Sequence, residues 1–403
     1  MATIVCFNIP AHGHIYPTLP VVGELVRRGE RVIYYAMAPF GETIEAGGAR
    51  FHDYEDLSPS MRFDFGGDDR RSASLPKLAL AMIGFCEKSL PFLLEATRRD
   101  APDLIMHDMT CFWGKYVAQI LEIPAVAAIP QFPFNRKRRP EAYPGMYADL
   151  ARMILTGIPA LVQFRRIAGR ISRRYSVERL GFMDLLANHE ELNIVFTSRE
   201  FQPHAADFDE RFAFVGPSIA DRDEKLGFSL DFGRGSLVYI SLGTIFGLSQ
   251  AFYRLCCQAF SGDDKRVLVS AGQGVDLGEL EPFPDNFLVR RYVPQLEVLK
   301  RADVFITHGG MNSVGESLWY GVPLVVIPQG SDQYLVARRV EKLGLGAVLD
   351  KRSITPQALR QAADLVMADV TIDENIKRIQ DSFRQAGGYQ RAADLIQGIQ
   401  HQS

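Results

Sequence analysis

Short apolar runs, rich in β-branched residues, recur along the chain and alternate with stretches of helical spacing. In the first half they lie at Ile4–Ile9, Arg31–Ala36, Leu104–His107, Ala125–Ile129 and Ile194–Thr197. The rhythm starts again in the second half, at Leu237–Ser241, Val267–Ser270, Phe287–Arg290, Val304–Thr307 and Leu324–Ile327. Such alternation is typical of β-α-β units, and continuous apolarity indicates sheets covered on both faces. The pattern predicts an α/β protein with two parallel sheets.

The segment between the two halves, residues 220–235, is charged, contains glycine and lacks periodicity, which predicts a linker. A length of 403 residues suits two domains. We therefore expect one domain at 1–219 and a second at 236–385.

Composition and charge exclude several classes of protein. The 45 basic and 48 acidic residues give a net charge of −3, so nothing attracts the whole chain to nucleic acid or to an anionic membrane. No apolar run approaches the roughly 18 residues of a membrane helix. The five cysteines are dispersed, without metal-ligand spacing, and indicate free thiols in a reducing compartment. We expect a cytoplasmic protein without stable membrane insertion; the oligomeric state is open.

Two histidines, His12 and His14, follow the first predicted strand, before a helix expected from about Thr18. Open α/β sheets bind their ligands at the carboxyl ends of the strands, and imidazole is suited to general-base chemistry. The alternatives are two surface histidines beside a turn glycine, or a metal pair, for which no third ligand is near. Asp108 ends another strand; it is suited either to orient an imidazole or to cap the next helix.

The second half carries a glycine-rich strand-to-helix junction with His308, Gly310, Asn312 and Ser313. Glycines allow a ligand to approach the backbone, and the free amides of a helix start attract anions, so the junction predicts a diphosphate site. Glu316, one turn later, is suited to bind a ribose diol. The polar turns at Ser241 and at Asp332-Gln333 also follow strands; Asp332 has the alternative of a helix N-cap.

These residues resemble the inverting, metal-independent glycosyltransferases of the family that includes bacterial macrolide glucosyltransferases and the plant and mammalian UDP-glycosyltransferases. The signature runs from Tyr292-Val293-Pro-Gln295 to Asp332-Gln333. The resemblance extends to the His14 loop, Asp108, Ser241 to Thr244 and Gly387-Gly388, and is strongest with the bacterial macrolide and flavonoid branch. It implies the GT-B fold of two facing Rossmann-like domains, the acceptor in the first and the nucleotide sugar in the second. It also implies a C-terminal helix, 386–403, that packs back toward the first domain.

The resemblance also implies a role for each residue. His14, rather than His12, would be the catalytic base and Asp108 its partner. Tyr292 would face the uracil, Gln295 would lie near the base and ribose, and Glu316 would bind the ribose hydroxyls. Val293 would be a further donor-binding residue. The diphosphate would be held by Ser241, Thr244, His308, Gly310, Met311, Asn312 and Ser313, and the sugar by Asp332 and Gln333. No metal and no further cofactor is expected.

The resulting expectation is transfer of a hexose, glucose from UDP-glucose, to a hydroxyl of an apolar small molecule such as a flavonoid, phenol, polyketide or macrolide. A related transferase that uses a dTDP-deoxysugar or a lipid acceptor remains an alternative. A sugar-nucleotide-binding protein without activity is disfavoured by the presence of both His14 and Asp108. A nicotinamide-dependent oxidoreductase is disfavoured because no G-x-G-x-x-G turn follows a strand.

An arginine-rich segment between Arg136 and Arg174 stands out in an acidic chain. Its cluster at 136–139 follows a strand exit, which led us to the hypothesis that it attracts anionic acceptors or an anionic surface. The alternative is that Arg165–Arg174 is the solvated face of an amphipathic helix.

Overall fold

The computed structural model describes residues 1–57, 75–135, 146–185, 187–220, 235–243, 250–262, 265–272, 275, 277–278, 282–330 and 332–400, except for the side chains of 146–156, 185 and 400. The chain forms two compact units. Unit 1 comprises Met1–Ile219 and Ala386–Ser403, and unit 2 comprises Ala220–Gln385. Thr244, the arginine cluster at 136–139 and most of the expected linker lie outside the described residues.

Unit 1 contains a parallel sheet. Its strands are β1 (Thr3–Phe7), β2 (Arg31–Ala36), β3 (Arg50–Asp53), β4 (Leu104–Asp108), β5 (Ala125–Ile129), β6 (Leu192–Val195) and β7 (Phe212–Phe214), in the order β3-β2-β1-β4-β5-β6-β7. Its helices before residue 219 are α1 (His12–Ile15), α2 (Leu19–Arg27), α3 (Gly41–Ala46), α4 (Tyr54–Leu57), α5 (Leu75–Asp100), α6 (Phe112–Leu121) and α7 (Met146–Tyr175). The helix expected from about Thr18 is α2, which begins at Leu19; the short α1 before it was not predicted.

Unit 2 contains a second parallel sheet. Its strands are β8 (Leu237–Ser241), β9 (Arg266–Ser270), β10 (Phe287–Arg290), β11 (Val304–Thr307), β12 (Leu324–Val326) and β13 (Gly346–Val348), in the order β10-β9-β8-β11-β12-β13. Its helices are α8 (Gln250–Phe260), α9 (Gln295–Leu299), α10 (Met311–Trp319), α11 (Gln333–Lys342), α12 (Pro356–Ala368) and α13 (Val370–Gln385). The prediction of an α/β protein with two parallel sheets is confirmed.

The last helix, α14 (Gly388–Gln400), belongs to unit 1. Its Ala392, Ala393 and Ile396 are buried in the same hydrophobic cluster as α2 and one face of the sheet. Arg28, at the end of α2, donates to Asp394 at 2.5 Å. The chain thus returns to its first unit after completing the second.

Side chains along β1 alternate between two hydrophobic clusters. Val5 and Phe7 pack on the side that α5, α6 and α7 cover. Ile4 and Cys6 pack on the opposite side, with α2 and α14. This explains the continuous apolar runs, because each face of the sheet needs its own apolar residues.

Three short strands escape the sequence pattern: β3, β7 and β13. All three lie at the edge of a sheet. An edge strand pairs on one side only and remains short, so it needs no long apolar run. The residues of β3, for example, include Arg50, His52 and Asp53.

Strand order reverses at one point in each sheet. In unit 1 the chain runs from β1 outward to β2 and β3, then returns to β4 on the other side of β1. In unit 2, β8 has the same position between β9 and β11. At such a reversal the two neighbouring loops diverge and leave a crevice for a ligand. The crevices lie beside the loops after β1 and β4, and after β8 and β11.

No helix in the described part of the chain is both long and apolar enough to cross a membrane. On α7, Arg170 makes a bidentate ion pair with Glu87 of α5 at 2.7 and 2.8 Å, and its neighbours Arg165, Arg166, Arg173 and Arg174 are exposed. This part of the arginine-rich segment is therefore a solvated helix face. The cluster at 136–139, to which the hypothesis of acceptor attraction applies, is outside the described residues.

The packing of α6 against the sheet generates a stability prediction. A Cβ at Gly114 would lie 2.5 Å from Cβ of His107 on β4, so Gly114→Ala must push the helix off the strand. We expect a loss of about 1–3 kcal/mol in the free energy of unfolding. Gly84→Ala in α5, where an added Cβ meets nothing within 4 Å, should instead gain up to about 1 kcal/mol. Urea unfolding followed by circular dichroism measures both; equal midpoints would contradict the close contact.

Candidate functional site

The loop after β1 and the end of β4 bring His14 and Asp108 together. His14 Nδ1 lies 2.7 Å from Asp108 Oδ2. The carboxylate is buried, whereas 21% of the His14 side chain is exposed. The two residues are far apart in sequence, and the parallel pairing of β1 with β4 places them at adjacent strand ends. The pair thus occupies the crevice that the strand reversal creates in unit 1.

Asp108 is held as a carboxylate. Burial alone would raise its pKa, but the electrostatic interaction and hydrogen bond with His14, together with bonds from Thr110, hold the pKa below its ordinary value. Thr110 donates its backbone N–H at 2.8 Å and its hydroxyl to Oδ1. Asp108 does not cap the following helix, since the N-cap of α6 is Cys111.

The carboxylate determines the tautomer of His14. Because an ionised carboxylate only accepts, Nδ1 of His14 carries the proton and donates it to Asp108. The lone pair then resides on Nε2, the nitrogen that a general base uses. His12 has a different environment: its ring packs against Tyr16 at 5.4 Å and Phe40 at 4.9 Å between centroids.

In unit 2, the loop after β11 leads into α10 through Gly310, the helix N-cap. Gly310 makes no side-chain capping bond, and the first turn of α10 comprises Met311, Asn312 and Ser313. The backbone N–H groups and the positive dipole end of a helix N-terminus favour an anion at this position. This is the geometry that the sequence predicted for a diphosphate site.

The ring of His308 lies between Gly310 of this junction and Gly243, which follows β8. An added Cβ would approach the ring within 2.8 Å at Gly243 and within 2.6 Å at Gly310. Gly243 also has a φ of +80°, which other residues rarely adopt. These glycines therefore make room for the imidazole itself. Burial lowers the pKa of His308 to about 4, against the opposing effect of a hydrogen bond with the backbone of Ser241. The ring is neutral at pH 7, and its one N–H donates to the backbone oxygen of Ser241.

Gln295, Ser313 and Glu316 form one hydrogen-bonded group. The amide of Gln295, at the start of α9, donates to Glu316 Oε2 at 2.6 Å and lies 3.2 Å from Ser313 Oγ. Tyr239 on β8 donates its hydroxyl to Gln295 Oε1 at 3.2 Å. Glu316 is only 4% exposed, and a polar side chain buried to this degree needs hydrogen-bond partners around it.

The other predicted donor-site residues have varied environments. Tyr292 is 53% exposed, as a stacking surface requires, whereas the Val293 side chain is buried and leaves only its backbone for a ligand. Gln333 is buried, and its side-chain oxygen accepts from the backbone of Gln329 at 2.8 Å and of Gly330 at 3.3 Å. Its NH₂ group is therefore the part suited to a sugar. Asp332 occupies the N-cap position of α11 without making a capping bond.

Sequence reasoning missed the supporting residues. Thr110 and Tyr239 bond directly to predicted site residues, yet a threonine two positions after a strand and a tyrosine within one are ordinary core features. Nothing in the local sequence marks them. Within the described residues, no group of three or more histidine, cysteine, aspartate or glutamate side chains could hold a metal ion.

Comparison with known proteins places this geometry in a family. The model of the erythromycin biosynthesis protein CIII-like C-terminal domain matches residues 259–386. An uncharacterized UDP-glucosyltransferase, YojK of Bacillus subtilis (strain 168), is 35% identical over 401 residues, covering 98% of this chain and 97% of its own. The oleandomycin glycosyltransferase of Streptomyces antibioticus is 32% identical over 398 residues, covering 98% and 90%.

Among solved structures, the glycosyltransferase of kitacinnamycin superimposes with a TM-score of 0.84 at 30% identity, and 98% of each chain is covered. The relatives thus span both units of the present chain. The chain belongs to the GT-B glycosyltransferases, in the bacterial branch that includes the macrolide glycosyltransferases.

Proposed function

We propose that this protein is an inverting, metal-independent glycosyltransferase that moves a hexose, glucose from UDP-glucose, to a hydroxyl of an apolar small molecule. The observation that carries the proposal is the 2.7 Å bond between His14 and the buried carboxylate of Asp108 at a strand reversal. A histidine in this tautomer is a general base at neutral pH. Membership of the glycosyltransferase family supplies the reaction in which such a base is needed.

In the proposed reaction, Nε2 of His14 takes the proton of the acceptor hydroxyl while the hydroxyl oxygen attacks the anomeric carbon. The bond from that carbon to the diphosphate oxygen breaks, and its electron pair leaves with UDP. A single displacement from the opposite side inverts the configuration. The imidazolium that forms is stabilised by Asp108, whose lowered pKa keeps the negative charge in place.

The leaving diphosphate gains negative charge during this step. The backbone amides at the start of α10 are suited to stabilise it. Because the pKa of His308 is about 4, its ring carries no positive charge at pH 7, and its one N–H is already bonded to the backbone of Ser241. In this proposal Ser241 and Thr244 add hydroxyl donors, although Thr244 lies outside the described residues.

The group of Gln295 and Glu316 supports a nucleoside diphosphate as the donor. A buried carboxylate with one oxygen bonded to Gln295 has capacity left for hydroxyls of a ribose. The exposed ring of Tyr292 suits stacking with a pyrimidine. UDP-glucose is our choice because a relative over nearly the full length is named a UDP-glucosyltransferase. Asp332 and the NH₂ group of Gln333 would then hold the glucose.

The acceptor class follows from the relatives. The oleandomycin glycosyltransferase is named for a macrolide, and the matched family model for erythromycin biosynthesis. We therefore infer a hydrophobic natural product, a polyketide, macrolide, flavonoid or phenol, as acceptor. The five cysteines are all free, which supports a cytoplasmic location.

The first prediction tests the reaction as a whole. The purified protein, given UDP-glucose and a panel of phenols, flavonoids and macrolides, should yield glucosides of inverted configuration, detected by mass spectrometry and NMR. Turnover should persist in EDTA. The same panel with dTDP-glucose as donor, and a lipid alcohol as acceptor, tests the alternatives. Products from dTDP-glucose but not from UDP-glucose would contradict the proposal. A loss of activity in EDTA that added metal restores would also contradict it.

The second prediction concerns the base. His14→Ala should lower kcat by about 10²–10⁴-fold, because a general base contributes that much, while the affinity for the nucleotide sugar stays nearly unchanged. With acceptors that ionise readily, kcat should fall less, since their proton is easier to remove. His12→Ala is the matched control, because His12 lies two residues before His14 in the same short helix, and it should retain most activity. A loss in His12→Ala but not in His14→Ala would contradict the assignment.

The third prediction separates nucleotide from sugar contacts. Glu316→Ala should weaken binding of UDP itself by about 10- to 100-fold, since hydrogen bonds to a charged group are lost. Gln333→Ala should leave the affinity for UDP unchanged and lower the affinity for UDP-glucose. Gln333→Glu is the control for disruption of the loop, because it retains the oxygen that accepts from Gln329 and Gly330. Calorimetric titration measures each affinity. Equal UDP affinities in Glu316→Ala and the unmodified protein would contradict the ribose contact.

A further inference from the structure

Beneath the loop that carries His14 lies a buried group of three polar side chains, Asn8, Tyr34 and Thr18, which we name the Asn8 chain. All three are at most 2% exposed. Asn8 directly follows β1, Tyr34 lies within β2, and Thr18 precedes α2. They lie among the apolar residues of one sheet face, where an unpaired polar group is costly. Their hydrogen bonds must therefore be accounted for.

The directions of these bonds can be assigned from the number of protons available. Thr18 Oγ1 donates its single proton to the backbone oxygen of Ile15 at 2.8 Å. The 2.7 Å contact between Thr18 Oγ1 and Tyr34 Oη must then use the phenolic proton of Tyr34. Tyr34 Oη in turn accepts from Asn8 Nδ2 at 2.8 Å. Burial raises the pKa of Tyr34, so the hydroxyl keeps the proton it donates.

The second proton of the Asn8 amide goes to the backbone oxygen of His14 at 3.1 Å. Asn8 Oδ1 accepts from the N–H of Ile9 at 2.8 Å. The Asn8 chain therefore begins at the carbonyl of His14 and ends at the carbonyl of Ile15, and every N–H and O–H in it is used. The two peptide groups on the carboxyl side of the histidine are both held by side chains.

This arrangement matters because α1, which carries His14, is a single turn of four residues. Such a helix is not stable by itself, and its N-cap, Ala11, offers no side-chain bond. The position of the His14 ring, 2.7 Å from Asp108, depends on where its backbone is held. Aliphatic side chains at these three positions would fill the same space, but the His14 carbonyl would lose the Asn8 bond and the Ile15 carbonyl would keep only the backbone N–H of Thr18, at 2.9 Å.

We propose that Tyr34 is a positioning residue for the transfer reaction: through Asn8 and Thr18 its hydroxyl holds the His14 backbone so that the imidazole meets both Asp108 and the acceptor hydroxyl. The inference rests on the proposed base role of His14. Tyr34 itself is fully buried and contacts neither substrate. The Tyr34 hydroxyl therefore affects the alignment of His14 for proton transfer and leaves binding of the nucleotide sugar unchanged.

The test is Tyr34→Phe, which removes one oxygen and keeps the ring. The matched control is Tyr116→Phe, because Tyr116 is equally buried in unit 1 and its hydroxyl bonds to the backbone N–H of Leu180 instead. Two phenols of similar size and different acidity, 4-nitrophenol and 4-ethylphenol, are compared as acceptors. Misalignment of a base should slow the less acidic phenol most.

For 4-ethylphenol we expect kcat of Tyr34→Phe to fall by about 10-fold or more, since small displacements of a catalytic group have effects up to about 10²-fold. The fall for 4-nitrophenol should be clearly smaller, and the KM for UDP-glucose should not change. Tyr116→Phe should affect both phenols equally and slightly. Equal falls for the two phenols in Tyr34→Phe, as a smaller folded fraction would produce, would overturn the inference.

Two further variants keep the test decisive. Thr18→Val breaks the Asn8 chain at its other end with a side chain of the same shape, and carries the same expectation should Tyr34→Phe not fold. His14→Ala, measured alongside, must itself spare 4-nitrophenol relative to 4-ethylphenol. Equal losses in His14→Ala would overturn the base role of His14 and this inference together, whereas equal losses in Tyr34→Phe alone overturn only the inference.

Discussion

The parallel pairing of a central strand with neighbours on both sides is the constraint on which the candidate residues of each unit depend. In unit 1, β1 pairs with β2 and β4; in unit 2, β8 pairs with β9 and β11. Parallel strands place all their carboxyl ends at one edge of a sheet, and a reversal of strand order separates the loops there. This arrangement brings His14 to Asp108, and His308 to the backbone of Ser241.

Each unit buries one carboxylate beside its crevice, and each carboxylate is retained by a different set of donors. Asp108 accepts one hydrogen bond from His14 and two from Thr110. Glu316 accepts a hydrogen bond from the side-chain amide of Gln295. A buried negative charge is costly unless paired, so both residues constrain the side chains around them. Asp108 lies beside the proposed base His14, whereas Glu316 lies at the position proposed for the nucleotide.

Small residues are as important to the sites as polar ones. Gly243 and Gly310 lie so close to the ring of His308 that no other residue fits there without displacement. Gly114 allows α6 to lie directly on β4, one residue before Asp108. The glycine-rich junction that suggested a ligand cradle in the sequence thus also accommodates a side chain of the protein. A glycine pattern in a sequence identifies a close approach and leaves the approaching group unspecified.

The sequence by itself determined the two parallel sheets, because strands buried on both faces must be apolar throughout, and it placed polar residues at their carboxyl ends. The resemblance of those residues to a known family indicated which of them form the candidate site. The sequence did not reveal β3, β7 or β13, since edge strands need little apolar sequence. It also did not reveal Thr110, whose contact with Asp108 is local but has no distinctive motif, nor Tyr239 and the Asn8 chain, which bond to residues distant in sequence. The hydrogen bonds of Asn8, Thr18 and Tyr34 exist only after β1 and β2 have paired and α2 has packed against them. Tertiary structure alone decided these contacts, because a buried polar group acquires its role from the partner that the fold places beside it.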